Sequence, residues 1–232
     1  MAALAQSVER RSRKAKVMSS ILMGGSIKLS VDLLYVWKIG DNESMTPYIF
    51  FIGFNKTATY SLAKFFKANG YSSIHWDEGK LALKMKENID RGLMVLTGYD
   101  EEYTVYLDLI YESQSLNIEA NSFFRELDCD YPESYFVLNT RPLDEWIESR
   151  VKQLNGEFLE RQMILMNRSK EQVIEAWKAM NAIHEIEVRK YFKQNPRFTE
   201  IDISIHNVPK MLSNLLEVSL NSEHWEKLNV TQ

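Results

Sequence analysis

The chain of 232 residues contains one cysteine, Cys129, which excludes an intramolecular disulfide framework and fits a reducing compartment. No motif surrounds Cys129, so it reads as a small, partly buried residue rather than a nucleophile. Nowhere does the chain approach the roughly 18 to 20 uncharged residues that a membrane-spanning helix needs. Strong charge of one sign is missing too. The balance is 28 Lys and Arg against 32 Asp and Glu, a net of −4, so a nucleic-acid role would need a local basic patch. There is no His/Cys cluster and no pair of acidic ligands, and no metal site is expected. His184, His206 and His224 read as solvated. Internal repeats and low-complexity tracts are absent, and no linker follows residue 47.

What is present is a substantial apolar fraction, 45% of the chain, enough for the core of an α/β domain. The first 46 residues differ from the rest. Arg10, Arg11, Arg13, Lys14 and Lys16 form a basic cluster, and a short apolar stretch runs on from Val17. The cluster comes late for a signal peptide, and Lys28 and Asp32 interrupt the residues beyond the apolar stretch. Residues 1–46 are therefore expected to be a loosely attached, partly disordered extension, with a short helix or strand near Leu33 to Trp37. Residues 47–232 are expected to form the α/β domain. Asn-x-Ser/Thr triplets begin at Asn42, Asn55, Asn167 and Asn229. Asn55 lies in a loop that a glycan would block, which favours a cytoplasmic protein.

That loop organises the chain. Tyr48 to Phe54 is an apolar run rich in aromatic and β-branched residues, too short for a helix, and it predicts a fully buried strand. Gly53 breaks it, and Asn55-Lys56-Thr57-Ala58-Thr59-Tyr60-Ser61 comes next as a basic, hydroxyl-rich turn. Leu62, Phe65 and Phe66 then resume with helical spacing. Strand, tight turn and helix aim backbone N–H groups and the positive end of a helix dipole at an anion. Lys56 adds a positive charge, and Thr57, Thr59 and Ser61 add hydroxyls.

Further along, strands are predicted at Tyr71–Asp77, at Tyr103–Ile110 with an interruption at Asp108, at Tyr135–Thr140 and at Phe198–Ile203. Helices are predicted over Leu81–Leu93, Ile118–Leu127, Arg141–Lys152 with Pro142 in its first turn, Gly156–Met166 and Pro209–Val218. Ser169-Lys-Glu-Gln172 is a capping box that opens a long helix to about Phe192. Trp177 and Met163 to Met166 read as core. Alternating strands and helices predict a three-layer, mainly parallel α/β sheet.

Motif spacing narrows the class. A Walker A loop places a second glycine just before its lysine; here Asn55 stands in that place, three residues after Gly53 comes Lys56, and no second glycine appears. Gly53-Phe-Asn-Lys56-Thr57-Ala58-Thr59-Tyr60-Ser61-Leu62 resembles instead the 5′-phosphosulfate loop of the soluble, P-loop-like sulfotransferases, usually Lys-[Thr/Ser]-Gly-Thr-Thr-[Ser/Trp]-Leu. Arg141 at a strand end, with Ser149 eight residues later, resembles the same family's 3′-phosphate site. The similarity covers about residues 48 to 154 and returns at Phe198 to Ile203. Ala58 departs from the family's glycine, Tyr60 from its threonine, and the glycine-rich closing motif of the phenol and steroid branch is absent.

The resemblance implies a P-loop NTPase-like fold and sulfuryl transfer from 3′-phosphoadenosine-5′-phosphosulfate (PAPS), without a metal, to a hydroxyl or amine of a small-molecule or glycan acceptor. Neither nucleic acid nor a membrane span is implied. Asn55 to Ser61, Arg141 and Ser149 are then the donor-binding residues, and Lys56 faces the leaving phosphate. His75, Asp77 and Asp108 are all candidates for the base. Two other readings stay open at this point: a non-catalytic nucleotide-binding relative, motivated by Ala58 and Tyr60, and a kinase-like enzyme on the same scaffold.

Overall fold

The computed structural model describes residues 47–100 and 102–226. The expected extension over residues 1–46, the element near Leu33 to Trp37 and the triplets at Asn42 and Asn229 lie outside the described residues. Strands β1 (Ile49–Phe51), β2 (Ser73–His75), β3 (Val105–Leu107), β6 (Tyr135–Thr140) and β7 (Phe198–Asp202) form one sheet in the order β2-β3-β1-β6-β7. Every pairing in it is parallel. Parallel sheets are covered on both faces, so their strands are apolar on both sides. That is why Tyr48 to Phe54 is a continuous apolar run.

The two faces carry two cores. Phe50, Ile52, Tyr106, Phe136 and Leu138 meet α2 (Lys80–Asp90), α3 (Phe124–Asp130) and the end of α6 (Lys170–Tyr191) on one side. Ile49, Phe51, Val105, Leu107 and Val137 meet α1 (Thr59–Ala68) and α7 (Val208–Leu216) on the other. Phe50 and Phe51 are both fully buried, each adding about 1.5–3 kcal/mol of transfer free energy. This is a three-layer, mainly parallel α/β fold. A third cluster, built on Phe54, Trp146, Phe158 and Trp177, fills the space between the loop after β1 and the helices α4 (Leu143–Val151), α5 (Glu157–Met166) and α6. Met163 and Met166, both partly buried, pack against it, but Ile164 between them is 72% exposed, so the stretch expected to be core is only half so.

Several predicted boundaries move. Ile118 is not helical: β5 (Asn117–Glu119) pairs antiparallel with β4 (Ile110–Glu112), and Tyr111 stands opposite Ile118. The cross-strand contact overrides the helical spacing of Ile118, Phe124 and Leu127. Pro142 is the N-cap of α4 rather than its first residue. The capping box at Ser169 and Gln172 forms with both of its hydrogen bonds. His184 is buried, not solvated, and its Nε2 lies 2.7 Å from the carbonyl of Ile52. Among the described residues no helix is long and apolar enough to cross a membrane.

Candidate functional site

Four strand ends define the site. The loop leaves β1, His75 is the last residue of β2, Asp108 follows β3 and Arg141 follows β6. Open α/β sheets bind ligands at the carboxyl ends of their strands, where the chain order reverses across the sheet. Here the reversal falls at β1, which lies between β3 and β6.

The loop is built from its glycine outward. A Cβ on Gly53 would lie 1.9 Å from the carbonyl oxygen of Asn139, so only glycine lets β1 and β6 approach this closely. The Asn139 side chain fills the gap: its Oδ1 accepts from the Gly53 N–H at 2.9 Å, and its Nδ2 donates to Thr57 Oγ1 at 2.6 Å. Thr57 in turn donates its hydroxyl to the Phe54 carbonyl at 2.5 Å. The threonine hydroxyl is thus turned inward and braces the loop. Trp146 Nε1 donates to the Asn55 carbonyl at 2.9 Å, and Asn55 Nδ2 to Gln153 at 3.1 Å. Asn55 is buried, which leaves no room for a glycan there.

Lys56 and Ala58 both take left-handed backbone conformations, with φ of 69° and 61°. Ala58 is the N-cap of α1 and makes no side-chain cap. The first turn of any α-helix leaves N–H groups to be met from outside, and here they belong to the helix that Thr59, Tyr60 and Ser61 begin. Burial lowers the pKa of Lys56; Asp108 opposes that shift and Arg141 adds to it.

Beside this helix end lies a compact acid–base pair. His75 Nε2 is 3.2 Å from Asp108 Oδ2 and 3.1 Å from Thr59 Oγ1. Burial raises the pKa of Asp108 to about 7, with the Glu119 carboxylate adding to the shift and Lys56 and Arg150 opposing it. Burial lowers His75 to about 4. Near neutral pH the imidazole is uncharged, and the carboxyl holds its proton far more readily than an exposed one. Asp108 Oδ1 is buried and has no hydrogen-bond partner. The Tyr60 ring meets His75 edge-on at 5.6 Å. Asp77 stands apart, with its Oδ2 accepting from the Tyr99 hydroxyl at 2.7 Å. It sits in a strained turn, where Trp76, Asp77 and Glu78 all have positive φ.

On the other side of the loop, Arg141 donates to the Lys56 carbonyl at 3.1 Å and pairs with Glu145 at 3.0 Å. Its Nε is buried without a partner. Within α4, Glu145 and Ser149 are four residues apart and share one face, and Arg141 reaches Glu145 from the strand end before the helix. Ser149 is buried. The next residue, Arg150, has no exposed surface. Its guanidinium lies 4.9 Å from the rings of Trp146 and Trp177 and 5.1 Å from that of Phe158, and it pairs with Glu119. A desolvated cation needs such a partner. The pair ties β5 to α4, and Arg161 with Glu112, 3.1 Å apart, ties β4 to α5.

A cavity of about 410 Å³ begins at Ser61 and runs along α1 past Lys64 and Lys67 to Glu223 and His224. Among the described residues, no group of three or more His, Cys, Asp or Glu is placed to hold a metal. The structure joins Lys56, Thr59, His75, Asp108 and Arg141 around one helix end and leaves Asp77 outside. Sequence reasoning missed Asn139, Trp146, Glu119 and Arg150. Of these, Asn139 had a signal, as a lone amide inside an apolar strand.

No curated protein matches the chain. A family model described as a sulfotransferase domain matches residues 48–228.

Proposed function

This chain belongs to the sulfotransferase domain family, and on that premise we propose that it transfers a sulfuryl group from PAPS to a hydroxyl or amine of a small-molecule or glycan acceptor. One observation carries the reading: a buried carboxyl, Asp108, lies 3.2 Å from the His75 imidazole beside the start of α1, next to the loop that bears Lys56.

In this reading the backbone of Lys56 to Ser61 and the start of α1 hold the 5′-phosphosulfate, and Lys56 offsets charge growing on the leaving phosphate oxygen. Thr59 stands between the helix end and His75. Thr57 holds the loop in shape. Arg141 takes the 3′-phosphate once it exchanges Glu145 for it, with Ser149 one turn beyond Glu145 on the same face of α4.

Asp108 is the base. Its pKa of about 7 matches what general-base catalysis at neutral pH requires. It takes the proton as the acceptor oxygen or nitrogen attacks sulfur and the bond from sulfur to the phosphate oxygen breaks. His75, held neutral, packs against the carboxyl and orients it, and the proton stays on Asp108 until product leaves. Asp77, engaged by Tyr99, has no part in the step.

The experiment is transfer from PAPS labelled in its sulfuryl group to a panel of phenol, alcohol, sugar and amine acceptors. Labelled product is expected, with kcat/KM falling as pH drops below about 7. Asp108→Asn should lose on the order of 100-fold or more. Unchanged activity in that variant would remove Asp108 from the mechanism.

A further inference from the structure

Helix α6 is apolar on two sides. Val173, Trp177, His184 and Val188 are buried in the fold. Roughly half a turn away, Ala179, Ala182, Ile183 and Ile186 are all exposed. Ile183 retains 62% and Ile186 63% of its accessible surface. Steps of three, one and three residues place these side chains in one stripe along the helix. Glu175 lies four residues before the first of them and Lys190 four residues after the last, and both are exposed. A solvated helix face is usually polar, so this stripe lacks a partner of its own kind.

The stripe complements itself when reversed. In an antiparallel pairing centred between Ala182 and Ile183, position 175 faces 190, 179 faces 186 and 182 faces 183. Each Glu175 then meets a Lys190 of the second copy, and each alanine meets an isoleucine. Small side chains opposite large ones let two helices approach and interdigitate. A two-fold interface requires this reciprocity, since residue i contacts j wherever j contacts i.

The flanking charges leave these ends available. Glu187 is paired with Arg125, and Arg189 with Glu185 and Glu200. Lys190 makes no ion pair among the described residues. Glu175 meets Lys178 at 2.9 Å on the helix surface, a contact weak enough to be shared. Lys190 and Glu175 are separated by about 22 Å of helix, long enough for a small interface.

We infer that this chain forms a two-fold symmetric homodimer by antiparallel packing of α6 against α6 of a second copy. The dimer is independent of sulfuryl transfer, because it uses none of the residues at the site.

Sedimentation of the full chain over a micromolar to submillimolar concentration series tests it. A reversible monomer–dimer equilibrium is expected. The double variant Ile183→Glu/Ile186→Glu should weaken it at least about 30-fold. Its circular dichroism should stay unchanged, and so should its melting at concentrations where both proteins are monomers, because both positions are exposed. Glu175→Lys and Lys190→Glu should each weaken the dimer, and the two together should restore it by exchanging the charges. A monomer at every concentration, whether the stripe is bare or covered by another part of the chain, would overturn the inference. So would a dimer that the double isoleucine variant leaves intact.

Discussion

Ala58 holds a conformation that its own side chain opposes. It has φ 61° and ψ 24° at the N-cap of α1, a region where an L-residue's Cβ crowds the following carbonyl and costs roughly 1–2 kcal/mol. Glycine there removes that cost but adds freedom to the unfolded chain, worth about 0.4–1 kcal/mol. Ala58→Gly is therefore expected to stabilise the domain by about 0.5–1 kcal/mol. For a chain of this length that is a rise in melting temperature of about 1–4 °C. Ala68→Gly supplies a control of opposite sign, because Ala68 sits in the right-handed last turn of the same helix. It should cost up to about 1 kcal/mol. Thermal unfolding followed by circular dichroism reads both variants. If Ala58→Gly lowers the melting temperature as Ala68→Gly does, the left-handed geometry of the loop is wrong, and with it the way the loop presents its N–H groups.

The acid–base pair makes stability respond to pH in a way two variants separate. His75, with its pKa lowered to about 4, is neutral in the fold at pH values where an unfolded histidine is charged, so its contribution is lost as pH falls from about 6.5 towards 4. Asp108, raised to about 7, keeps a proton in the fold that an unfolded carboxyl has released, so its contribution is lost as pH rises from about 4 through 7. Each slope is up to about 1.4 kcal/mol per pH unit, and the two largely cancel in the native protein. In urea titrations between pH 4.5 and 6, Asp108→Asn should gain stability with rising pH. His75→Gln should lose stability over the same range, and flat profiles in both would mean that neither group is shifted.

Much of the fold was legible because burial on both faces leaves a plain signature. Tyr135–Thr140 reads as a strand from its apolar run alone and pairs on both of its sides, with β1 and with β7. The capping box at Ser169 was legible for a different reason, since its chemistry is local to four residues. The β4–β5 hairpin was not, because strands of three residues are too short to establish a period of two. Their pairing depends on contacts across the hairpin. His184 was readable in principle, as it shares a helical face with Val173, Trp177 and Val188.

At the site, the strand–turn–helix pattern pointed to Lys56, the family resemblance to Arg141, and strand-end position to His75, Asp77 and Asp108 without a choice among them. Their surroundings differ only in the fold: Asp77 accepts from Tyr99, while Asp108 lies 3.2 Å from His75. Asn139 stands out locally as a lone amide in an apolar strand, but its partner Thr57, 82 residues away, does not, and the burial of Arg150 among aromatic rings is a product of tertiary packing with no local pattern. Ala58, where the resembled loop has glycine, takes a positive φ that glycine would hold without strain. The hydroxyl of Thr57, expected to face an anion, is turned inward instead.

The most direct test of the proposed function is calorimetric titration of the protein with 3′-phosphoadenosine-5′-phosphate, alongside its Arg141→Ala variant. Saturable one-to-one binding is expected in the wild type, with a loss of at least about tenfold in the variant, the weight of a charge-assisted phosphate contact. Adenosine 5′-phosphate, which lacks the 3′-phosphate, should bind the two proteins alike. No binding by the wild type, or equal affinity of wild type and variant for the bisphosphate, would contradict a PAPS site at this loop.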